Sequence, residues 1–344
     1  VSVSEANPSG ATPFDPVAVV GGGAWGTALA AVLARNGREA RLWIREPEVA
    51  AAVAETGENA AFLPGVPLPK GLRATADLAS AAQGAEAIVF VAPAQFARSV
   101  LTDLAAIRGD GPPLLLCSKG IERGTGAFLA DIAEAAWPSD AVGVLSGPSF
   151  AADVARGLPT AVTLADPDRE RGERWIATVG APTFRPYWSD DVTGAELGGA
   201  AKNVLAIACG VVEGLKLGDS ARAALMARGF AEIARLGKAL GAKPETLQGL
   251  AGLGDLILTC SSRQSRNYSL GVEIGSGRTA AEAQAERRSV AEGAATADAL
   301  VALAKERGVE TPIAEAVAAL VAGRVSAGDA LAALLSRPFR SEAE

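Results

Sequence analysis

VAVVGGGAWGTALA, residues 17–30, sets an apolar four-residue run directly before glycines 21, 23 and 26 and a helix-like segment directly after them. Each glycine of this G-x-G-x-x-G spacing has a steric role. Gly21 allows a tight turn out of a strand, Gly23 lets a pyrophosphate approach the backbone, and Gly26 lets helix and strand pack closely. The first helical amides then point at the phosphates. Taken alone, the glycines describe a glycine-rich turn equally well; the strand before them and the helix after them turn the pattern into a dinucleotide site.

Working outward, the first half of the chain alternates β-rich apolar runs with helix-like stretches, as stacked βαβ units do. Candidate strands are 17–20, 40–44, 87–91, 114–117, 141–145 and 161–164. Four of them run into GGGAWG, VAPAQF, CSKGIERGTG and LSGPSF, expected on one carboxyl edge, where open parallel sheets bind ligands. From residue 193 onward the strand pattern gives way to alanine-rich segments of helical period, punctuated by glycines at 210, 214, 218, 241 and 254. No repeat of 20 to 50 residues is present. The expected fold is therefore an α/β Rossmann-type N-terminal domain with a mostly parallel sheet, followed by an all-helical C-terminal domain. The expected limits are 1–15 for a mobile extension, 16–190 for the dinucleotide-binding domain, 191–337 for a helical substrate domain and 338–344 for a mobile tail.

Composition narrows the partners. With 344 residues, 49% of them hydrophobic and 21% charged, the chain is globular and long enough for two domains. A net charge of −7 argues against nucleic acid or an anionic membrane, so any anion must be held locally. Cys117, Cys209 and Cys260 form no disulfide or zinc pattern, which suits a reducing cytoplasm, and no metal-ligand cluster is evident. Residues 16–34 carry no charge, but three consecutive glycines interrupt them, and 1–15 lack the basic start and apolar centre of a signal peptide. No membrane insertion is expected. Histidine is absent altogether, so an acid-base catalyst must be Lys, Asp, Glu, Tyr or Cys.

Lys202 is the only charge between Glu196 and Glu213. Burial there would lower its pKa toward a value useful for proton transfer, unless the lysine merely snorkels. Asp255 stands alone in GLAGLGDLILTC and needs a partner, for which Lys202 is a candidate. The run 261–267, SSRQSRN, gathers hydroxyls, an amide and two guanidiniums, which suits a phosphate as well as a polar loop. At the end of the second candidate strand Arg45 precedes Glu46. Arg45 facing the ribose would pair with the 2′-phosphate of NADP, and Glu46 there would favour NAD; NADP is expected slightly ahead.

GGGAWGTALA, NAAFLPG, SKG, LSGPSFA, GGAAKNVLAIACG, ARAALMARGFAE, AGLGDLILTC, SRN and VAEG follow one another in this order. In that combination the chain resembles bacterial NAD(P)-dependent glycerol-3-phosphate dehydrogenase over roughly residues 17–337. The resemblance implies a cytoplasmic homodimer that reduces dihydroxyacetone phosphate to sn-glycerol 3-phosphate for glycerophospholipid synthesis. It makes Lys202 the proton donor and acceptor. It assigns the phosphorylated triose to Lys119, Gly147, Ser149, Lys202, Asp255, Ser265, Arg266 and Asn267. Beside Gly21, Gly23 and Gly26, it assigns the cofactor to Ala24, Trp25, Arg45, Lys119, Ala151, Arg266, Val290 and Glu292. Departures are small: Ser149 stands where Thr is common, Ala24 where Ser is common, and Ala291 interrupts a usual pair of valines. Two rivals remain at this point: a β-hydroxyacid or 6-phosphogluconate-type dehydrogenase of the same architecture, and a non-catalytic dinucleotide sensor that would not need Lys202, Asp255 and Arg266 together.

Overall fold

The structure is a computed structural model that describes residues 10–285, 291–339 and 341. Eight strands form one sheet: β1 (Val17–Val20), β2 (Ala40–Trp43), β3 (Arg73–Thr75), β4 (Ala87–Phe90), β5 (Leu114–Leu116), β6 (Val142–Ser146), β7 (Thr160–Ala165) and β8 (Phe184–Ser189). Their order is β3-β2-β1-β4-β5-β6-β7-β8, with every neighbouring pair parallel except β6 and β7. The order reverses between β1 and β4, so the glycine loop after β1 lies at the switch point of the sheet. The four expected loops leave the same edge, since β1, β4, β5 and β6 run parallel.

The central strands are buried on both faces, which is why they read as continuous apolar runs. In β1, Val17 and Val19 enter one core while Ala18 and Val20 enter the other. In β5, Leu115 joins the first and Leu114 and Leu116 the second. Two strands were not foreseen. β3 is three residues long and begins on an arginine, and β8 (FRPYWS) is polar and contains Pro186. A sheet tolerates such strands only at its edges, and both lie there.

Of residues 10–15, which the sequence placed in an extension, Thr12, Phe14 and Asp15 make hydrogen bonds to the sheet unit. Phe14 is buried against Trp175, its N–H donates to Thr178 Oγ1 at 2.8 Å, and the Arg174 guanidinium lies over its ring. One aromatic among polar residues supplies enough buried area to hold the segment.

The chain divides into two compact units. One takes the described residues up to Glu122, Ala127–Gly199 and Gly241–Asp255; it contains the sheet and its helices. The other takes Arg123–Gly126, Ala200–Leu240 and the described residues from Leu256 onward, and its regular elements are helices. The helix Val192–Gly214 is apolar and long enough to cross a membrane by composition alone, yet its apolar 18-residue stretch is buried within the fold. Within the helical unit it meets the helix Arg266–Gly275 backbone to backbone. A Cβ on Gly210 would sit 2.8 Å from Val272 N, and one on Gly275 would sit 3.0 Å from Gly214 Cα.

Candidate active site

In the sheet unit the glycine loop has the geometry its spacing demands. Gly21 adopts φ +124°, and a Cβ there would lie 2.7 Å from the Val91 carbonyl carbon at the end of the neighbouring β4. A Cβ on Gly26 would strike the Gly21 carbonyl oxygen, whereas one on Gly23 would meet nothing within 4 Å. Gly23 is the N-cap of the helix Ala24–Arg35, without a side-chain cap and without an acidic residue in the first turn. An uncapped helix start facing open space, with no carboxylate in its own first turn, fits a dinucleotide pyrophosphate. Ala24 and Trp25 supply first-turn amides; the Trp25 ring packs toward the core, 6.5 Å from that of Phe184. Arg45 is exposed, donates to Glu46 Oε1 at 2.9 Å and carries its guanidinium 5.9 Å from the ring centre of Phe96. Phe96 is itself exposed, an aromatic face at the ligand edge that the sequence pattern did not single out. Ala151 opens a five-residue helix after β6.

The same unit assembles Lys119, Gly147, Ser149 and Asp255. Lys119 Nζ donates to the Gly147 carbonyl at 3.0 Å and to Asp255 Oδ2 at 2.6 Å. Asp255 is thus paired with Lys119, and its side chain is 1% exposed against 14% for the lysine. Gly147 holds φ +141°, where a Cβ would press on Val162, so its carbonyl is aimed by a backbone that only glycine adopts easily. Ser149 Oγ donates to that carbonyl as well, at 3.0 Å. On the helix Val192–Gly214, a Cβ at Gly199 would fall 2.8 Å from Ser146 Oγ and 3.3 Å from Lys119 Cγ. Ser146 Oγ is buried and has no hydrogen-bond partner among the described residues.

Three residues beyond Gly199, and so on the same face of that helix, stands Lys202. It is buried in the helical unit and donates to Thr259 Oγ1 at 2.8 Å. Thr259 lies one turn after Asp255 on the helix Asp255–Cys260. Beside Lys202, Asn203 Oδ1 accepts from Asn267 Nδ2 at 2.9 Å, and Asn267 Oδ1 accepts from Gly293 N at 2.9 Å. The expected ligand Asn267 therefore links two helices through its amide. Ser265 is the N-cap of the helix Arg266–Gly275 and accepts from Tyr268 N; Arg266 follows it with an exposed side chain. Glu292 opens the helix Glu292–Glu306, and Val290 lies outside the described residues. Thr259 and Asn203 were missed in sequence because a buried threonine and asparagine are ordinary helix-packing residues until their partners are known.

The family model for the NAD-dependent glycerol-3-phosphate dehydrogenase N-terminus matches residues 16–171, and that for the C-terminus matches 191–332. A glycerol-3-phosphate dehydrogenase [NAD(P)+] of Parvibaculum lavamentivorans is 59% identical over 96% of this chain and 98% of its own length. One of Rhodospirillum rubrum is 57% identical over 96% and 94%. A solved glycerol-3-phosphate dehydrogenase of Coxiella burnetii superposes with a TM-score of 0.89 at 38% identity, covering 94% of this chain and 99% of that one.

Proposed function

The chain belongs to the NAD-dependent glycerol-3-phosphate dehydrogenase family, and from that premise we propose how its own residues carry the reaction. The enzyme interconverts dihydroxyacetone phosphate and sn-glycerol 3-phosphate, with NAD or NADP as cofactor. The bound cofactor supplies or takes the hydride at substrate C2.

Everything else falls to side chains and amides. Lys202 gives a proton to the C2 oxygen in ketone reduction and takes it back in alcohol oxidation. In a chain without histidine, a buried lysine whose position is held by the Thr259 hydroxyl is suited to that role. Lys119 spends two donors on Gly147 and Asp255 and offers its third to the C2 oxygen, where negative charge develops. Asp255 fixes that ammonium, and Thr259 fixes the other. Arg266 and the amides of the helix it opens hold the phosphate, which positions C2. The single observation that carries this assignment is the pair of anchored ammonium groups, Lys119 on Asp255 and Lys202 on Thr259.

The sheet unit serves the cofactor, with Arg45 favouring NADP slightly over NAD. The helical unit contributes the proton-transfer and phosphate residues. We place the enzyme in the cytoplasm as a soluble homodimer supplying glycerol 3-phosphate to glycerolipid synthesis. Steady-state kinetics with NADH and NADPH, on dihydroxyacetone phosphate and on unphosphorylated dihydroxyacetone, test the scheme. Turnover of the phosphorylated ketone with both cofactors is expected. Equal turnover of dihydroxyacetone overturns the phosphate assignment.

A further inference from the structure

We propose that Asn59, the first residue of NAAFLPG, is a positioning residue of the cofactor loop: its amide fixes the Gly22–Gly23 peptide so that the Gly23 N–H faces the pyrophosphate. Asn59 is 1% exposed, and its Nδ2 donates to the Gly22 carbonyl at 2.9 Å and to Thr27 Oγ1 at 2.8 Å. Thr27, fully buried, donates to the same carbonyl at 3.3 Å. The orientation of the Asn59 amide is fixed from its other end, because Oδ1 accepts from Phe62 N at 3.2 Å and an NH2 group could not. From a different side the Ile44 side chain packs on Gly22, so closely that a Cβ there would collide with it.

In a trans peptide the C=O and N–H point in opposite directions. The Gly22–Gly23 bond is trans, and its carbonyl is held inward by two buried donors. The Gly23 N–H therefore points outward, at the residue whose Cβ position is open. With both Nδ2 hydrogens and Oδ1 engaged inside the protein, Asn59 acts through Gly22. The NAAFLPG segment thereby braces the phosphate-binding peptide before a ligand arrives, which lowers the ordering cost of binding.

The inference rests on the assignment of the glycine loop to the cofactor, and the test separates the two. Dissociation constants for NADPH and NADH are measured by fluorescence titration on Asn59→Asp, Thr27→Val, Thr27→Ser and Gly23→Val, together with thermal midpoints. Asn59→Asp sets a carboxylate against the Gly22 carbonyl and is expected to weaken both cofactors about tenfold or more. Thr27→Val should weaken them by a smaller factor and Thr27→Ser should bind as the native protein does. KM for dihydroxyacetone phosphate at saturating cofactor should stay within about twofold of native in all three. Gly23→Val fills the open approach and should weaken binding whatever Asn59 does. A folded Asn59→Asp protein with native affinity, beside a weakened Gly23→Val, overturns the role of Asn59 alone. Native affinity in both overturns the loop assignment as well. If Asn59→Asp fails to fold, the threonine pair decides, and equal affinities of Thr27→Val and Thr27→Ser overturn the proposal.

Discussion

The two units draw the groups we assign to ligands largely from different materials. In the sheet unit we assign the cofactor phosphates to peptide groups, the amides after Gly23, while the Gly147 carbonyl accepts from Lys119 and Ser149. In the helical unit the groups we assign are chiefly the side chains of Lys202 and Arg266, and glycines withdraw so that the helices approach closely. A Cβ on Gly293, for example, would fall 2.7 Å from the Asn203 carbonyl carbon. A site made of backbone fails when volume is added near it. A site made of side chains fails when a functional group is removed, and the fold around it survives.

Lys202→Ala is the strongest test of that contrast. Loss of general acid-base catalysis should lower kcat by about 10² to 10⁴, with the cofactor dissociation constant unchanged because the glycine loop belongs to the other unit. Steady-state kinetics and NADPH titration on one preparation measure both. A kcat near native removes Lys202 from the chemistry, and joint loss of turnover and cofactor binding erases the contrast.

Gly199→Ala makes the complementary test by adding one methyl group. It would meet Ser146 Oγ at 2.8 Å and the Lys119 stem at 3.3 Å, a degree of overpacking that typically costs about 1–3 kcal/mol. Denaturant unfolding should show that loss, and kcat should fall as Lys119 is displaced. Adding Ser146→Ala removes the nearer obstacle, an oxygen with no partner to lose, so the double variant should recover part of both. Absence of any coupling would show that the helix shifts freely at this point. Arg266→Ala returns to the side-chain logic. Its exposed guanidinium places the effect at the low end for a charge-assisted pair, roughly tenfold in KM for dihydroxyacetone phosphate with little change for the unphosphorylated ketone.

The same contrast explains what the sequence disclosed. Backbone-built features were legible because glycine is required there: the strand and the three loop glycines follow from sterics, whereas Gly147 was named only through the resemblance. Buried β-rich runs gave the six inner and near-inner strands, whereas β3 and β8 carry edge chemistry that resembles loop. Lys202 and Asp255 stood out as lone charges in apolar surroundings. The Lys119 partner of Asp255 did not, because pairing depends on tertiary contact: Lys119 comes from the loop after β5, far from Asp255 in sequence. Asn59 lay in a segment quoted only for its resemblance, and its meaning appears only once Gly22 is seen beside it.

The smallest effect at neutral pH is expected from Glu196→Gln, and it is read as a slope. Glu196 lies buried on the helix Val192–Gly214 and accepts from Ala130 N at 3.0 Å, at the start of the helix Leu129–Ala136. Burial pushes its carboxyl up to about 8 from 4.5, and the nearby Asp131 adds to the rise. A carboxyl with a raised folded pKa binds its proton more tightly in the native state than in the unfolded one. Its contribution to stability is therefore complete below 4.5 and is lost as pH rises through that interval to about 8. Glutamine is neutral throughout and keeps an oxygen for Ala130 N, so the variant should match the native protein closely in acid and lose less stability toward pH 8. Glu232 of the helical unit, raised to about 7 chiefly by burial, titrates in an overlapping range and supplies a residual slope in the variant. Urea unfolding across this interval measures the difference between the two proteins. Parallel stability curves would mean that the Glu196 carboxylate is as well accommodated as the acid, with the start of the Leu129–Ala136 helix offsetting the cost of its burial.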